Sequence, residues 1–470
     1  VSRPGSLLAL SLLLFTGCQG KPTAAEASPA PSAPPSAARP APSPSGSSAA
    51  ARPRRPAEPL NVLLLTIDAM RADMPWHGYP RPIAPNLTRW AERAVVYDDY
   101  RSISSYTAQS VSAMLTGRYA STLYRSGVFF TGFYDANVFI TEAMQERGIR
   151  TGGVHSHLYF DRSKNLDQGF DTWELVEGIT FDSETDKNVT ADKSVAKLRA
   201  ILSDPSFSSK QFFLWAHFGD PHDQYVRHEM CPPEWGKKNR DRYDCEIFFV
   251  DHHIGQLLEW AQTQPFWART ALIVSSDHGE AFGEHKMYKH AFRLYDVLLR
   301  VPAFFVIPGA EPRRIAARRS HIDLGPTIVD LMGLEPLPTF LGQTMVPELF
   351  GEPARDREPI VLELAEDSHN PHYRAVVQGK YKLIVEGEGE RGWGRELYDL
   401  SADPGEEHDL AEAEPAVLAQ MQAVFTEAFA KIPSIAPAGG AVLHSGRVAR
   451  GPTGPAANPS ATPRDAARSR

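Results

Sequence analysis

The sequence predicts an α/β protein, a mainly parallel sheet flanked by helices and followed by a smaller α+β domain. Three observations carry this expectation. Apolar runs such as 62–67 and 271–274 are continuous instead of alternating, the pattern of strands buried on both faces. Helical and strand patterns alternate over roughly three hundred residues, as in a parallel sheet with helices on both faces. Beyond residue 351, short strand patterns come at hairpin spacing together with one amphipathic helix.

The 470 residues allow a large domain and a smaller one, and a net charge of -8 with a pI near 6.1 gives no reason to expect a nucleic-acid partner. Residues 1–18 read as a lipoprotein-type signal peptide: Arg3, a short apolar stretch, then Phe15-Thr16-Gly17-Cys18, with Cys18 as the residue to be lipidated. Residues 19–59 are rich in Pro, Ala and Ser and predict a disordered tether. The expected location is the bacterial cell envelope, through an N-terminal lipid anchor to the membrane, or secretion.

A first domain is expected over 60–355. Its strand 62–67 stops at Asp68; a helix over 86–93 and a short strand at 95–97 follow. A helix over 138–147, halted by Gly148, leads into a strand over 149–154. Next come a helix over 191–202, a strand over 212–216, a helix over 248–261, and the strand that contains Ile273. A second domain over 356–432 should hold strands near 359–364, 373–378, 381–385 and 396–400. Its helix over 415–431 should carry Leu418, Met421, Phe425 and Phe429 on one side. The tail 433–470 lacks periodicity and predicts disorder. With Cys18 lipidated, Cys231 and Cys245 form an even pair for which a disulfide is favoured over two free thiols.

Chemistry-bearing residues cluster at strand ends, where open α/β sheets bind ligands. Asp277 and His278 follow the strand at 271–274 and offer oxygen and nitrogen to a divalent cation. Asp68 ends the first strand. The polar stretch Ser104 to Ser110 opens a helix closed by Gly117, so Thr107 lies near a helix N-terminus, where an anion is favoured. His217 and His222 follow the strand at 212–216, and Lys289 and His290 lie beyond Asp277.

Together, Asp68, the helix ending Leu115-Thr116-Gly117-Arg118, the element His217 to Tyr225, and Ser276-Asp277-His278-Gly279-Glu280 through Gly283-Glu284-His285 resemble the sulfatase family of the alkaline phosphatase superfamily. Later landmarks agree, among them Arg300-Val301-Pro302 and Glu396-Leu397-Tyr398-Asp399-Leu400, so the resemblance spans about 61–411. It implies an alkaline phosphatase-like fold. It also implies a metal at Asp68, Asp277 and His278, a nucleophile opening the helix, and His222 and His290 around the ester oxygens. His155, His157, His217 and Lys289 are expected to bind substrate.

Two departures qualify the resemblance. The usual family pattern has cysteine or serine at the nucleophile position, proline two residues on and arginine four on; this chain has Thr107, Gln109 and Val111. Threonine cannot become formylglycine, so the expected nucleophile is a metal-activated hydroxyl, as in relatives that transfer phospholipid headgroups or cleave phosphodiesters. The second departure is Ala69, where the family has a second carboxylate after Asp68. A single ion (Ca, Mn, Mg or Zn) held by Asp68, Thr107, Asp277 and His278 is therefore expected. The expected substrate is a sulfate or phosphate ester of a small molecule, glycan or lipid headgroup. The alternatives are a phosphodiesterase or headgroup transferase, and a catalytically silent binder of anionic envelope polymers.

Overall fold

The computed structural model describes residues 55–438 apart from 178, 180–188 and 388–393. The signal peptide, most of the tether and most of the tail lie outside the described residues. Eight strands form the main sheet: β1 (Asn61–Ile67), β2 (Val95–Tyr97), β3 (Arg150–His155), β4 (Thr172–Leu175), β5 (Phe212–Phe218), β6 (Thr270–Ser276), β7 (Ala303–Val306) and β8 (Arg313–Ile315). Their spatial order is β8-β2-β7-β6-β1-β5-β3-β4. Only β7 runs antiparallel to its neighbours β2 and β6; the other pairings are parallel. The alternation of helix and strand thus forecast the architecture, while β4, β7 and β8 were not among the expected strands.

β1 shows why the central strands read as continuous apolar runs. Val62 and Leu64 join the core on one face of the sheet, and Leu63, Leu65 and Ile67 join the core on the other. Helices cover both faces. α2 (Thr107–Thr116) and α6 (Leu324–Leu331) contribute Met114, Leu115, Leu324 and Ile328 to the first core. α1 (Pro85–Ala91), α4 (Ala191–Ser203) and α5 (Asn239–Ala261) contribute Leu87, Leu198 and Ile254 to the second. α5 begins nine residues before the expected 248, because its polar first turns carry no apolar stripe. They are held instead by the Cys231–Cys245 disulfide and by ion pairs from Arg81 and Arg240 to Asp244. α3 (Ile140–Glu146) lies within its expected range.

Beyond residue 356, the four-stranded antiparallel sheet β9 (Ile360–Leu364), β10 (Tyr373–Gln378), β11 (Tyr381–Glu386) and β12 (Gly394–Asp399) carries α7 (Pro415–Ala430). Met421 and Phe425 are the buried residues of α7, with Leu418 and Phe429 partly buried beside them. A buried ion network joins this sheet to the first domain. Lys382 of β11 lies 2.7 Å from both Asp296 and Glu406, and Arg101 lies 2.7 Å from Asp296. Burial alone would raise Asp296, but Arg101 and Lys382 outweigh it and hold the carboxyl below its usual range. Glu406 is pushed up to about 7 by burial, with Lys382 opposing.

Gly117 ends α2 with φ +61°, and a Cβ there would meet a Phe340 ring carbon at 2.4 Å. Both the left-handed backbone and the close approach call for glycine. Gly117→Ala is expected to lower unfolding stability by about 2–4 kcal/mol, the sum of backbone strain and overpacking, as read by urea denaturation.

Candidate active site

Three adjacent central strands end at one point. Asp68 follows β1, His217 lies near the end of β5, and Asp277 and His278 follow β6; all four are fully buried. Thr107 approaches them from the N-terminus of α2 and is 4% exposed. Its Oγ1 lies 3.1 Å from His278 Nε2.

Hydrogen bonds to the far sides of these groups dictate what the near sides offer. His278 Nδ1 lies 2.9 Å from the Gly279 carbonyl, which can only accept, so Nδ1 carries a proton and Nε2 is the nitrogen turned inward. Asp277 Oδ1 accepts from the backbone N–H groups of Ala69 at 3.1 Å and His278 at 2.9 Å, leaving Oδ2 without a hydrogen-bond partner. Asp68 Oδ2 meets His217 Nε2 at 3.1 Å, leaving Oδ1 likewise without one. His278 Nε2 is 3.3 Å from the free Asp277 oxygen and 3.9 Å from the free Asp68 oxygen. Two carboxylate oxygens without hydrogen-bond partners and an imidazole nitrogen therefore converge in a buried site, an arrangement that suits a cation. Mixed carboxylate and imidazole donors suit a divalent metal, and the residues present fit one.

His217 belongs to this wall. Its ligand atom lies within 4.8 Å of those of Asp68 and Asp277, and its other nitrogen is 2.9 Å from Thr66 Oγ1. Either it shares the ion or it orients Asp68. Burial would raise the Asp68 carboxyl, but the His217 hydrogen bond and the neighbouring imidazoles of His222, His217 and His278 outweigh this and hold it well below its usual range.

A row of imidazoles leads away from His278. The His290 ring lies 4.2 Å from it, His222 lies 5.0 Å from His290, and His157 lies 5.0 Å from His222. Their environments push them apart. Burial and the neighbouring His278 and His222 hold His290 well below the ordinary imidazole value. Burial likewise lowers His157 to about 3. For His222 burial also lowers, yet the carboxylates of Asp68 and Glu280 prevail and raise it.

Two expected substrate-binding residues are placed elsewhere. His155 is fully buried at the end of β3, packed on Trp173 at 4.8 Å and Phe160 at 5.5 Å. Lys289 turns outward, 60% exposed, and its Nζ pairs with Asp223 at 2.6 Å, linking the loop of His290 to that of His222. A second ion beside the first would draw on Asp220 and His222 as further ligands, but Asp220 is occupied: it accepts from Thr190 N at 2.8 Å, Ala191 N at 3.0 Å and Thr190 Oγ1 at 2.9 Å at the start of α4.

Two residues that sequence reasoning did not assign take part. Glu280 is fully buried, reaches His290 Nδ1 at 3.3 Å and is pushed up to about 7 by burial; its place in the Asp277 motif was the available signal. Gln109 stands where the family has proline. Its Nε2 donates to the Ala365 carbonyl at 2.8 Å and its Oε1 accepts from Ala365 N at 2.9 Å, clamping the first turn of α2 to the end of β9. No sequence signal marks a partner 256 residues away.

The sulfatase family profile matches residues 60–334, more than half of the chain. The chain belongs to the sulfatase family. A second profile, N-sulphoglucosamine sulphohydrolase C-terminal, matches residues 283–432. Choline-sulfatase of Rhizobium meliloti is 27% identical over 202 residues, 41% of this chain and 38% of that protein. Delta 4,5-hexuronate-2-O-sulfatase of Bacteroides thetaiotaomicron is 27% identical over 217 residues, 42% of this chain and 43% of that protein. These matches thus span about two fifths of either relative's length. Among solved structures, the phosphonate monoester hydrolase of Agrobacterium radiobacter superposes with a TM-score of 0.63 at 17% identity, covering 79% of this chain and 95% of that one. No described helix is long and apolar enough to cross a membrane.

Replacing Gln109 with alanine removes both hydrogen bonds and strands a buried backbone N–H. Gln109→Ala should cost about 2–3 kcal/mol of unfolding free energy in urea titrations, whereas Gln109→Glu should keep the acceptor half and lose less.

Proposed function

We propose that this sulfatase-family protein is a metal-dependent hydrolase of sulfate or phosphate esters with Thr107 as its nucleophile. The observation that carries the reading is the 3.1 Å contact of Thr107 Oγ1 with His278 Nε2, beside the free oxygens of Asp68 and Asp277. Asp68, Asp277, His278 and the Thr107 hydroxyl would hold one divalent ion, with His217 orienting Asp68. When bound, the ion supplies Lewis acidity, polarising the ester and making the Thr107 hydroxyl easier to deprotonate. The occupied Asp220 supports one ion over two.

In the proposed cycle Thr107 Oγ1 gives its proton to solvent water and bonds to sulfur or phosphorus while the bond to the alcohol oxygen breaks. His222, whose surroundings favour its protonated form, gives its proton to the departing oxygen. His290, held neutral, supplies a ring nitrogen beside the ester and is steadied by Glu280. Water then cleaves the Thr107 ester, its oxygen bonding to sulfur or phosphorus as the bond to Thr107 Oγ1 breaks; Oγ1 regains a proton and the attacking water's proton passes to His222. A threonyl phosphate is opened by water more readily than a threonyl sulfate, which lacks the hemiacetal route available to formylglycine. This favours phosphorus esters, and the same fold serves the phosphonate monoester hydrolase. Cys18 and the residues after it support attachment to a bacterial envelope membrane by a lipid anchor.

Thr107→Ala should abolish turnover while metal analysis still finds a divalent ion; retained full activity would refute the nucleophile. Asp277→Asn should weaken metal binding by at least about 100-fold, and the intact protein should carry one ion per chain by elemental analysis. A panel of aryl sulfate, phosphate monoester and phosphodiester substrates with added divalent metals separates the chemistries, and uniform inactivity supports the binder reading. With the active class in hand, His222→Asn should slow alkyl esters by about 10²–10⁴-fold, slow 4-nitrophenyl esters far less, and remove the alkaline limb of the pH profile.

A further inference from the structure

Near the β8 edge of the main sheet, the segment that follows β2 meets two others. Asp98 N donates to Ile315 O at 2.9 Å, Arg319 N donates to Asp99 O at 3.1 Å, and Arg101 faces Arg300 across an isolated antiparallel bridge. The backbones of 98–101, 300 and 315–319 thus lie side by side, which brings three arginines to one carboxylate. Arg101 pairs with Asp99, Arg318 Nε lies 2.9 Å from it, and Arg300 Nε lies 3.9 Å from it.

Two cavities open on this convergence. One, of about 280 Å³, is lined by the three arginines, Asp99 and Lys380, and reaches Leu400 and Ser401 of the smaller domain. The other, of about 520 Å³, is lined by Arg71 and Arg314 among others. Arg300 and Asp296 line both.

The cations of these walls are not equally neutralised. Arg71, Arg101, Arg314, Arg318 and Lys380 each have a carboxylate oxygen at 2.9 Å or less. Among the described residues, Arg300 has only its distant share of Asp99, which two other guanidinium groups hold more closely. The remaining carboxylates of the walls are taken up: Asp296 by Arg101 and Lys382, Asp73 and Glu284 by Arg71, Asp98 by Arg314, and Asp356 by the backbone N–H of Arg318. Arg300 NH2 donates to the Asp98 carbonyl at 3.1 Å, its Nε is buried without a hydrogen-bond partner, and its side chain is 39% exposed. A guanidinium group offers donors in a fork that fits the oxygens of phosphate or sulfate, and a donor left without a partner gains most from such an acceptor.

We propose that Arg300, with Arg318 and Lys380, forms a binding site for a small inorganic oxyanion, phosphate or sulfate, in the cleft between the main sheet and the smaller domain. The site stands apart from the hydrolase reading, since none of its residues belongs to the candidate active site. The test is calorimetric titration of phosphate and of sulfate into the purified full chain carrying Asp277→Asn, which weakens anion binding through the metal. One anion should bind per chain. In that background Arg300→Met should weaken binding by about tenfold or more, the worth of one charge-assisted contact. Lys380→Met, at a side chain 51% exposed, should weaken it by about threefold, and it keeps the test open where Arg300→Met fails to fold. Asp99→Asn removes the carboxylate that competes with the anion and should tighten binding by about three- to tenfold. Arg314→Met, which removes the same charge from the larger cavity alone, should change little. Absence of binding by both anions, binding indifferent to Arg300→Met and Lys380→Met, or binding loosened by Asp99→Asn overturns the site. Binding of one anion alone through Arg300 supports it and assigns the occupant.

Discussion

Two fully buried carboxylates set the terms for the rest of this structure. Asp68 and Asp277 end neighbouring strands, each with one oxygen satisfied by the protein and one left bare toward the other. Like charges at about 4 Å repel by about 4 kcal/mol at a typical effective protein dielectric, and their desolvation adds to this. The fold tolerates the pair because backbone N–H groups and His217 hold the outer oxygens and because the arrangement suits a cation. Thr107 gains its meaning from this pair, since a buried hydroxyl beside an imidazole is otherwise ordinary.

Holding such a pair requires stiff surroundings, and these come from distant parts of the chain. The strands β6, β1 and β5 set the three ends side by side. α2 brings Thr107 in, and Gln109 pins its first turn to β9 of the smaller sheet. Lys382, Asp296, Glu406 and Arg101 couple that sheet to the segment just after His290. The smaller sheet thus supports the candidate site through Gln109 and this ion network. Between Gly283 and Arg293 the backbone adopts the left-handed region at His285, Lys286, Lys289, Ala291 and Phe292, a concentration that marks where the fold trades ease of backbone for placement.

Much of the candidate site was legible because its chemistry is local. Asp277-His278-Gly279-Glu280 follows a strand whose apolar run is unbroken, and Asp68 ends another of the same kind. Their convergence follows from the rule that parallel strands share a binding edge. The roles of individual histidines were not legible. His155 and His217 face each other across β3 and β5, yet one is walled in by Trp173 and Phe160 while the other meets Asp68. Lys289 adjoins His290 in sequence but points to solvent and Asp223. Side-chain direction in a strained loop depends on contacts that no local pattern encodes.

The sequence by itself determined that this is an α/β protein with helices on both faces of a mainly parallel sheet, a metal-suited strand edge and a threonine at the start of a helix. These features depend on periodicity and on adjacency along the chain, which need no partner to be read. Tertiary structure alone decided that Asp220 caps a helix, that Gln109 clamps α2 to the end of a strand 256 residues away, and that Phe129, His369 and Phe292 pack together. Those facts depend on long-range packing, where the identity of the neighbour, and not the residue's own chemistry, settles what the side chain does.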